Sequence, residues 1–363
     1  MAASPPAARP KLRISRVVLL AVLGGLAFVA ASTTIGPVAL PPLTTLEIFF
    51  HQLTGGLLPW GGCSSTGGYP PCSWTEIIWG ARVPSIVMAL VAGAALGLSG
   101  AGLQGVFRNP LADPFLLGLS SGAALGAASI FVFDINPAHQ AATLPLAAFL
   151  GGIVPGTVIY LSAAWGRRSA ETLILTGVAL STFFSAILSA LLLYNPNSDV
   201  SLNFWLLGSL EAISWPDAAL AAGVVLALGT GLVLSGREIN LLQLGPEVAQ
   251  SLGVRPQRVV QTTVLLSTAM TATVVAFSGI IGFIGLIAPH IVRRLAGVDY
   301  RVVLPLSALF GGLVLLLAWD LAEGIIPPVV IPVGIPTAFI GAPFLIYLLY
   351  RRRSTEASTG AAA

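Results

Sequence analysis

The sequence predicts an all-α membrane protein: ten transmembrane helices per subunit, one of them short, with the N- and C-termini cytoplasmic. Three observations predict it. The 363-residue chain is 56% hydrophobic and only 9% charged, where a soluble domain carries about 25% charged residues, and its mean hydropathy is +0.92. Apolar runs long enough to cross a bilayer, about 20 residues each, recur along it. When those runs are threaded in order, the basic residues sort to one side.

The runs fall at roughly 17–40, 84–106, 115–133, 143–165, 172–194, 216–235, 302–322 and 334–350, with a longer stretch at 259–292 broken by "FSGIIG". Parity decides how often that stretch crosses. Two crossings make ten spans and put Arg9, Lys11, Arg13, Arg16, Arg108, Arg167, Arg168, Arg237, Arg255, Arg258, Arg293, Arg294, Arg301 and Arg351 to Arg353 inside, which is 16 of the 17 basic residues. Arg82 alone is left outside. One crossing turns the arginines beyond Arg258 outward. The eighth span, near Gly279–Val292, is then short and reads as a half-helix packed within the bundle, where irregular backbone is tolerated.

The domain organisation follows from the same threading. Residues 1–16 are a cytoplasmic N-terminal segment, 17–350 a single ten-helix domain, and 351–363 a cytoplasmic tail whose end, "STEASTGAAA", reads as disordered. The basic start followed by "VVLLAVLGGLAFVAAS" also has the form of a signal peptide. Residues 41–76 form a long outer loop containing Cys63 and Cys72. A pair in an oxidising compartment reads as a loop disulfide, with two free thiols as the alternative.

Several chemistries are disfavoured. The single lysine, Lys11, follows no Gly-rich loop, so the chain has no P-loop, and an ATP-driven process would need a separate ATP-binding polypeptide. The spans are nearly free of the Asp, Glu, Arg and His that ion-coupled carriers place near the bilayer midplane. Asp320 and Glu323 fall near the outer end of the ninth. "GLSG", Gly97 to Gly100, matches a short motif of intramembrane serine proteases. His51, His139 and His290 are poorly placed as its base, so a small-residue packing face is the better reading. Three scattered histidines and two cysteines give no metal-ligand spacing, no cofactor is implied, and no basic cluster interleaved with aromatics suggests nucleic acid.

Three polar features stand out. "FRNPLADPFLLG", Phe107 to Gly118, joins the second and third spans. Pro110 and Pro114 stiffen it, and Asn109, which precedes a proline, is pushed away from helix with its amide expected free. It is either a tight connecting turn or a constriction at the inner mouth of a pathway. The cytoplasmic loop 236–258 contains a short helix between Pro246 and Gly253, with Val248 and Leu252 on one face and Leu244 just before it. It either lies on the membrane surface or docks on a soluble partner. The fifth span carries Ser181, Ser185 and Ser189 at i, i+4 and i+8, preceded by Thr176. Such a stripe packs helices or lines a pore.

Together these stretches resemble the permease subunits of the type II ABC importers for iron chelates, haem and vitamin B12. The resemblance runs from about Ile77 to Leu349. It is carried by "GAALGLSGAGLQGVFRNPLADPFLLGLSSGAALGA", "LILTGVALS", "LGPEVAQSLGV", "SGIIGFIGLIAPHIVRRL" and "PVGIPTAFIGAPFLIYLL". It implies a homodimer whose interface forms the channel, two ATP-binding subunits on the cytoplasmic side, an extracytoplasmic substrate-binding protein, and a lipid bilayer of the cell inner membrane around them. The implied function is ATP-driven import of an iron complex, with cobalamin or haem as alternative cargo and a stand-alone secondary transporter as the rival class. By the same resemblance Asn109 and Leu111 match the inner gate, Ser169 and Ala170 a second gate position, and Leu244, Gly245, Pro246, Glu247, Val248, Leu252 and Gly253 the ATPase-coupling loop. Arg82 matches a docking residue for the binding protein. The chain departs from the family at Ala170, where threonine is frequent, at Ser85, which replaces a second docking arginine, and at Gly324, which replaces another.

Overall fold

The computed structural model describes residues 11–57, 62–63, 70–135, 140–164, 170–194 and 199–360. These residues are helical and contain no strand. In chain order the helices are α1 (Lys11–Ser32), α2 (Pro42–Leu53), α3 (Cys72–Thr75), α4 (Val83–Phe107), α5 (Leu119–Val132), α6 (Gln140–Ala164), α7 (Ala170–Tyr194), α8 (Asp199–Leu206), α9 (Trp215–Leu234), α10 (Gly236–Gln243), α11 (Pro246–Ser251), α12 (Pro256–Ser278), α13 (Ile284–Ala296), α14 (Tyr300–Gly324) and α15 (Gly334–Gly360). A π-helical stretch, Glu76–Arg82, joins α3 to α4 without a break. Six helical stretches are long and apolar enough to cross a membrane, at Cys72–Phe107, Ala142–Ala163, Glu171–Tyr194, Trp215–Leu234, Pro256–Ser278 and Tyr300–Gly324. Shorter apolar stretches lie at Val18–Ser32, Leu119–Val132 and Gly334–Leu348. The chain is a multi-pass membrane protein.

Helix α4 is the hub. Nearly all of its residues are buried, against α14, α12, α13 and α9. Its small residues make this possible. A methyl group at Gly93 would stand 2.2 Å from the Gly311 carbonyl oxygen, and one at Gly97 would stand 2.2 Å from that of Ser307. The two backbones touch, so dispersion and weak polar contacts between main chains replace the hydrophobic drive that lipid does not supply. The same device joins α5 to α6 at Gly122 and Gly151, where the corresponding separation is 2.3 Å. Ser99, in the protease-like motif, is fully buried with its hydroxyl 3.4 Å from the Ser267 carbonyl, which is the packing role expected of that stretch.

The short eighth segment has a visible cause. Gly279 ends α12 at φ 67°, and α13 begins only after Phe283, at φ 70°, whose ring packs where a side chain on Gly341 of α15 would be. The irregular backbone nearby is satisfied from other loops. The Ser209 N–H donates to the Ser278 carbonyl (2.9 Å), and the Val333 and Gly334 N–H groups donate to Gly208 (2.9 Å) and Leu207 (3.0 Å). Non-helical backbone survives in a bundle because it is enclosed by protein.

Four boundaries differ from expectation. The first helix ends at Ser32, not near 40. The loop 41–76 contains α2 and the start of the long helix that becomes α4, because its apolar residues Ile48, Phe49 and Trp74 form a small core with Ile78, Trp79 and Trp215 beyond it. The eighth segment lies at Ile284–Ala296 rather than Gly279–Val292. Residues 354–360, read as part of a disordered tail, continue α15 to Gly360, since the stretch after Pro343 has no helix breaker until that glycine.

Substituting Gly93→Ala is expected to push α4 off α14 and destabilise the protein by about 1–3 kcal/mol. Gly24→Ala, where nothing lies within 4 Å, should have little effect. Thermal unfolding in detergent checks the contrast.

Candidate functional site

The turn after α4 is built by its own polar side chains. Arg108 ends the helix in the left-handed region at φ 50°. Asn109 Oδ1 accepts from the Leu111 N–H (3.0 Å), and the Asn109 carbonyl accepts from Ala112 (3.0 Å). Asp113 Oδ1 then accepts from the Phe115 N–H (2.9 Å), opening a 3-10 turn at Pro114–Leu117 that Gly118 closes at φ 80°. The Asn109 side chain, expected free, is therefore engaged: its oxygen folds the turn, as Asn before Pro does when the helix cannot continue. Asn109 and Leu111 are half-buried at the arginine-rich end of the bundle. The turn is pinned to α7, because a methyl at Gly177 would meet the Leu116 carbonyl at 2.2 Å.

Asp113 is buried, with Gly285 of α13 against its other oxygen. Burial pushes its carboxyl up to about 6, opposed by the Phe115 hydrogen bond.

A second network ties the surrounding elements together. Gln104 is 2% exposed. Its Nε2 donates to the carbonyls of Ala112 (3.2 Å) and Gly285 (2.9 Å), and its Oε1 accepts from Arg293 of α13. Gln243, the last residue of α10, donates to the Gly105 carbonyl on α4 (2.7 Å). Asn240 donates to Asp299 (2.6 Å) and accepts from the Tyr300 N–H (2.9 Å). Beneath them lies an open cleft of about 540 Å³ with Arg108, Pro110 and Arg293 in its wall. Sequence reading missed both glutamines. For Gln104 a signal was present, since a glutamine in the otherwise apolar run "GAGLQGVF" needs partners if buried.

Helices α10 and α11 form the loop expected to couple. Gly245 (φ 110°) and Gly253 (φ 84°) bracket α11, with Pro246 in its first turn and Glu247 exposed beside it. Ala249 is buried and anchors the helix, its N–H donating to Gly245 (2.9 Å) and its carbonyl accepting from Val254 (3.0 Å). The apolar side chains face outward. Leu244 is 62% exposed, Val248 45% and Leu252 57%.

The other expected positions are spread more widely. Ser169 lies outside the described residues, and Ala170 opens α7. On α7 the Thr176, Ser181 and Ser189 hydroxyls donate to carbonyls one turn back, at 2.8–2.9 Å. Thr176 and Ser181 are half-buried, while Ser185 and Ser189 are exposed on a helix with little buried surface. Cys63 and Cys72 are bonded to each other, with Cα atoms 4.7 Å apart.

Arg82, which the resemblance matches to a docking residue, is turned inward. It is 4% exposed and donates to the carbonyls of Thr33 (3.1 Å) and Val38, with Glu323 close enough to interact electrostatically. Ser85, one turn on, is buried and donates to the Leu210 carbonyl (2.6 Å). The guanidinium satisfies the chain that leaves α1, so in this conformation its charge is not presented to a partner.

The family model described as "FecCD transport family" matches residues 12–351. The cobalamin import system permease protein of Halobacterium salinarum is 38% identical, over 93% of this chain and 97% of its own length. The Fe(3+)-citrate import system permease protein YfmE of Bacillus subtilis is 40% identical, over 76% of this chain and 83% of its own length. A solved structure of a metal-chelate type ABC transporter in an inward-facing conformation superposes with a TM-score of 0.78 at 29% identity, over 93% of this chain and 99% of that one.

The raised Asp113 value carries a sign. The folded state holds a proton that the unfolded state has released, so stability falls as pH rises from about 4 to about 6 and is flat above. Asp113→Asn keeps the acceptor for Phe115 and cannot ionise. It should gain on the order of 2–3 kcal/mol over the parent at pH 7.5 and nothing at pH 3.5. Paired melting curves at the two pH values check the difference.

Proposed function

This chain belongs to the FecCD transport family, and we propose that, within that family of ABC importer permeases, it forms the channel for an iron complex as a homodimer in the cell inner membrane. On this reading ten helices cross the membrane with both termini in the cytoplasm: α1, α4, α5, α6, α7, α9, α12, α13, α14 and α15. ATP is bound and hydrolysed by two separate subunits beneath. An extracytoplasmic binding protein delivers cargo above.

One observation carries the division of labour. The exposed Leu244, Val248 and Leu252 stand on a glycine-bracketed loop on the side where the arginines collect, with no span to pack in. An apolar knob of that kind fits a pocket on a soluble partner. The chain's lack of a P-loop assigns the ATP chemistry to that partner. Relatives whose names specify cobalamin and ferric citrate are about equally similar, and the solved neighbour is of the metal-chelate type. Those facts support a metal chelate as cargo. Labelled ferric siderophore, ferric citrate, haem and cobalamin, compared in one uptake assay with the ATPase and binding protein present, identify which.

Leu244→Asp and Val248→Asp should abolish co-purification of the ATPase and uptake while leaving the melting temperature unchanged. Wild-type levels of both would remove the docking role from this loop.

For the gate, Asn109 and Leu111 of two subunits are read as narrowing the inner mouth, where a leucine excludes water and rigid-body helix shifts open the path. Leu111→Cys should cross-link across the dimer when the inner gate is closed, and less when it is open. Cross-linking indifferent to nucleotide would return the stretch to an ordinary tight turn.

A further inference from the structure

Docking at α10 and α11 does nothing for transport unless displacement there reaches the turn at Asn109 and Leu111. The structure contains a continuous path. Gln243 ends α10 and donates to the Gly105 carbonyl, 138 residues away in sequence, and to Ile239 in its own helix (3.2 Å). The neighbouring Gln104 spends its whole amide on two further elements: the turn, through the Ala112 carbonyl, and α13, through the Gly285 carbonyl and Arg293. Carbonyls only accept and a guanidinium only donates. One orientation of the Gln104 amide therefore meets all three partners, and the flipped one meets none.

Packing removes slack from the path. A methyl at Gly105 would stand 2.5 Å from Ile239 Cγ2 of α10 and 2.8 Å from Tyr300 Cε1 of α14. One at Gly100 would stand 2.1 Å from the Gly285 carbonyl oxygen, and one at Gly285 would stand 3.0 Å from Asp113 Oδ2 and 3.2 Å from Pro114 Cδ. The end of α10, the end of α4, the start of α13 and the turn cannot shift independently.

We propose that Gln243 and Gln104 are the positioning residues that transmit motion of the α10–α11 loop to the Asn109–Leu111 turn. This rests on reading that loop as the ATPase-docking surface. The Gly105 carbonyl also accepts from the Arg108 N–H (3.3 Å) and Gln243 lies exposed at the helix end, so replacing Gln243 leaves no buried group unpaired.

The test uses the full chain assembled with its ATPase in lipid nanodiscs. Hydrogen exchange is followed in segments 236–254 and 107–118, with and without a non-hydrolysable ATP analogue. In the wild type both segments should respond to nucleotide. Gln243→Glu, which keeps the shape and exchanges a donor for an acceptor, should leave the first response intact and cut the second by roughly tenfold, a typical size for coupling between sites. Gln104→Glu should do the same. Gln243→Lys restores a donor and should recover the second response. A wild-type response of segment 107–118 in Gln243→Glu would overturn the proposal, as would equal loss in Gln243→Glu and Gln243→Lys. If Gln104→Glu does not fold, the two Gln243 variants decide the matter alone. Absence of ATPase from the purified wild type would instead overturn the docking reading, and the linkage with it.

Discussion

Everything in this molecule depends on how closely the backbone of α4 can be approached. In lipid an apolar side chain gains nothing by touching another helix instead of an acyl chain. Specific association therefore needs contacts that lipid cannot imitate, and main chain against main chain is one. Gly93 and Gly97 supply it toward α14, and Gly100 supplies it toward α13. With α4 locked on those sides, its C-terminal end is a fixed point. The turn that follows is positioned by that end, by Gln104, and by the Gly177 contact with α7.

Several buried or half-buried polar residues near the arginine-rich face hold elements together. Asn109 and Asp113 fold the turn. Gln104 and Gln243 bind the turn, α4, α10 and α13 into one body. Facing outward on α11 and beside it are the apolar side chains of Leu244, Val248 and Leu252, among exposed charged residues such as Glu247 and Arg255. Helix α11 is held in place through buried Ala249, and the chain turns into and out of it at two glycines in conformations that other residues rarely adopt.

The opposite face follows a different logic. Its one arginine, Arg82, is turned inward to satisfy the carbonyls of Thr33 and Val38 where α1 ends, and Ser85 is turned inward to Leu210. A buried guanidinium needs such acceptors to offset desolvation. The layer above it is held by the Cys63–Cys72 bond and by Trp215, whose Nε1 donates to the Trp79 carbonyl (2.8 Å).

The sequence by itself determined the class of molecule, most of its long apolar helices and the family. Hydropathy, loop arginines and ordered motifs are local signals, and a bilayer leaves only one regular way to satisfy an isolated backbone segment. It also marked the turn at Asn109, the α11 loop and the cysteine pair, because proline, glycine and cysteine state their constraints without needing neighbours. What only the tertiary structure decided was where each polar side chain points. That Arg82 is surrounded by the end of α1 is visible only in the fold. Asn109 reads as free until the turn closes on its oxygen. Gln243 reads as nothing in particular and Gln104 only as a polar residue in an apolar run, because their partners lie up to 189 residues away and the local pattern does not say which groups a side chain will meet. Burial and pairing are properties of the packed chain, and those two properties separate a structural polar residue from one that faces a partner.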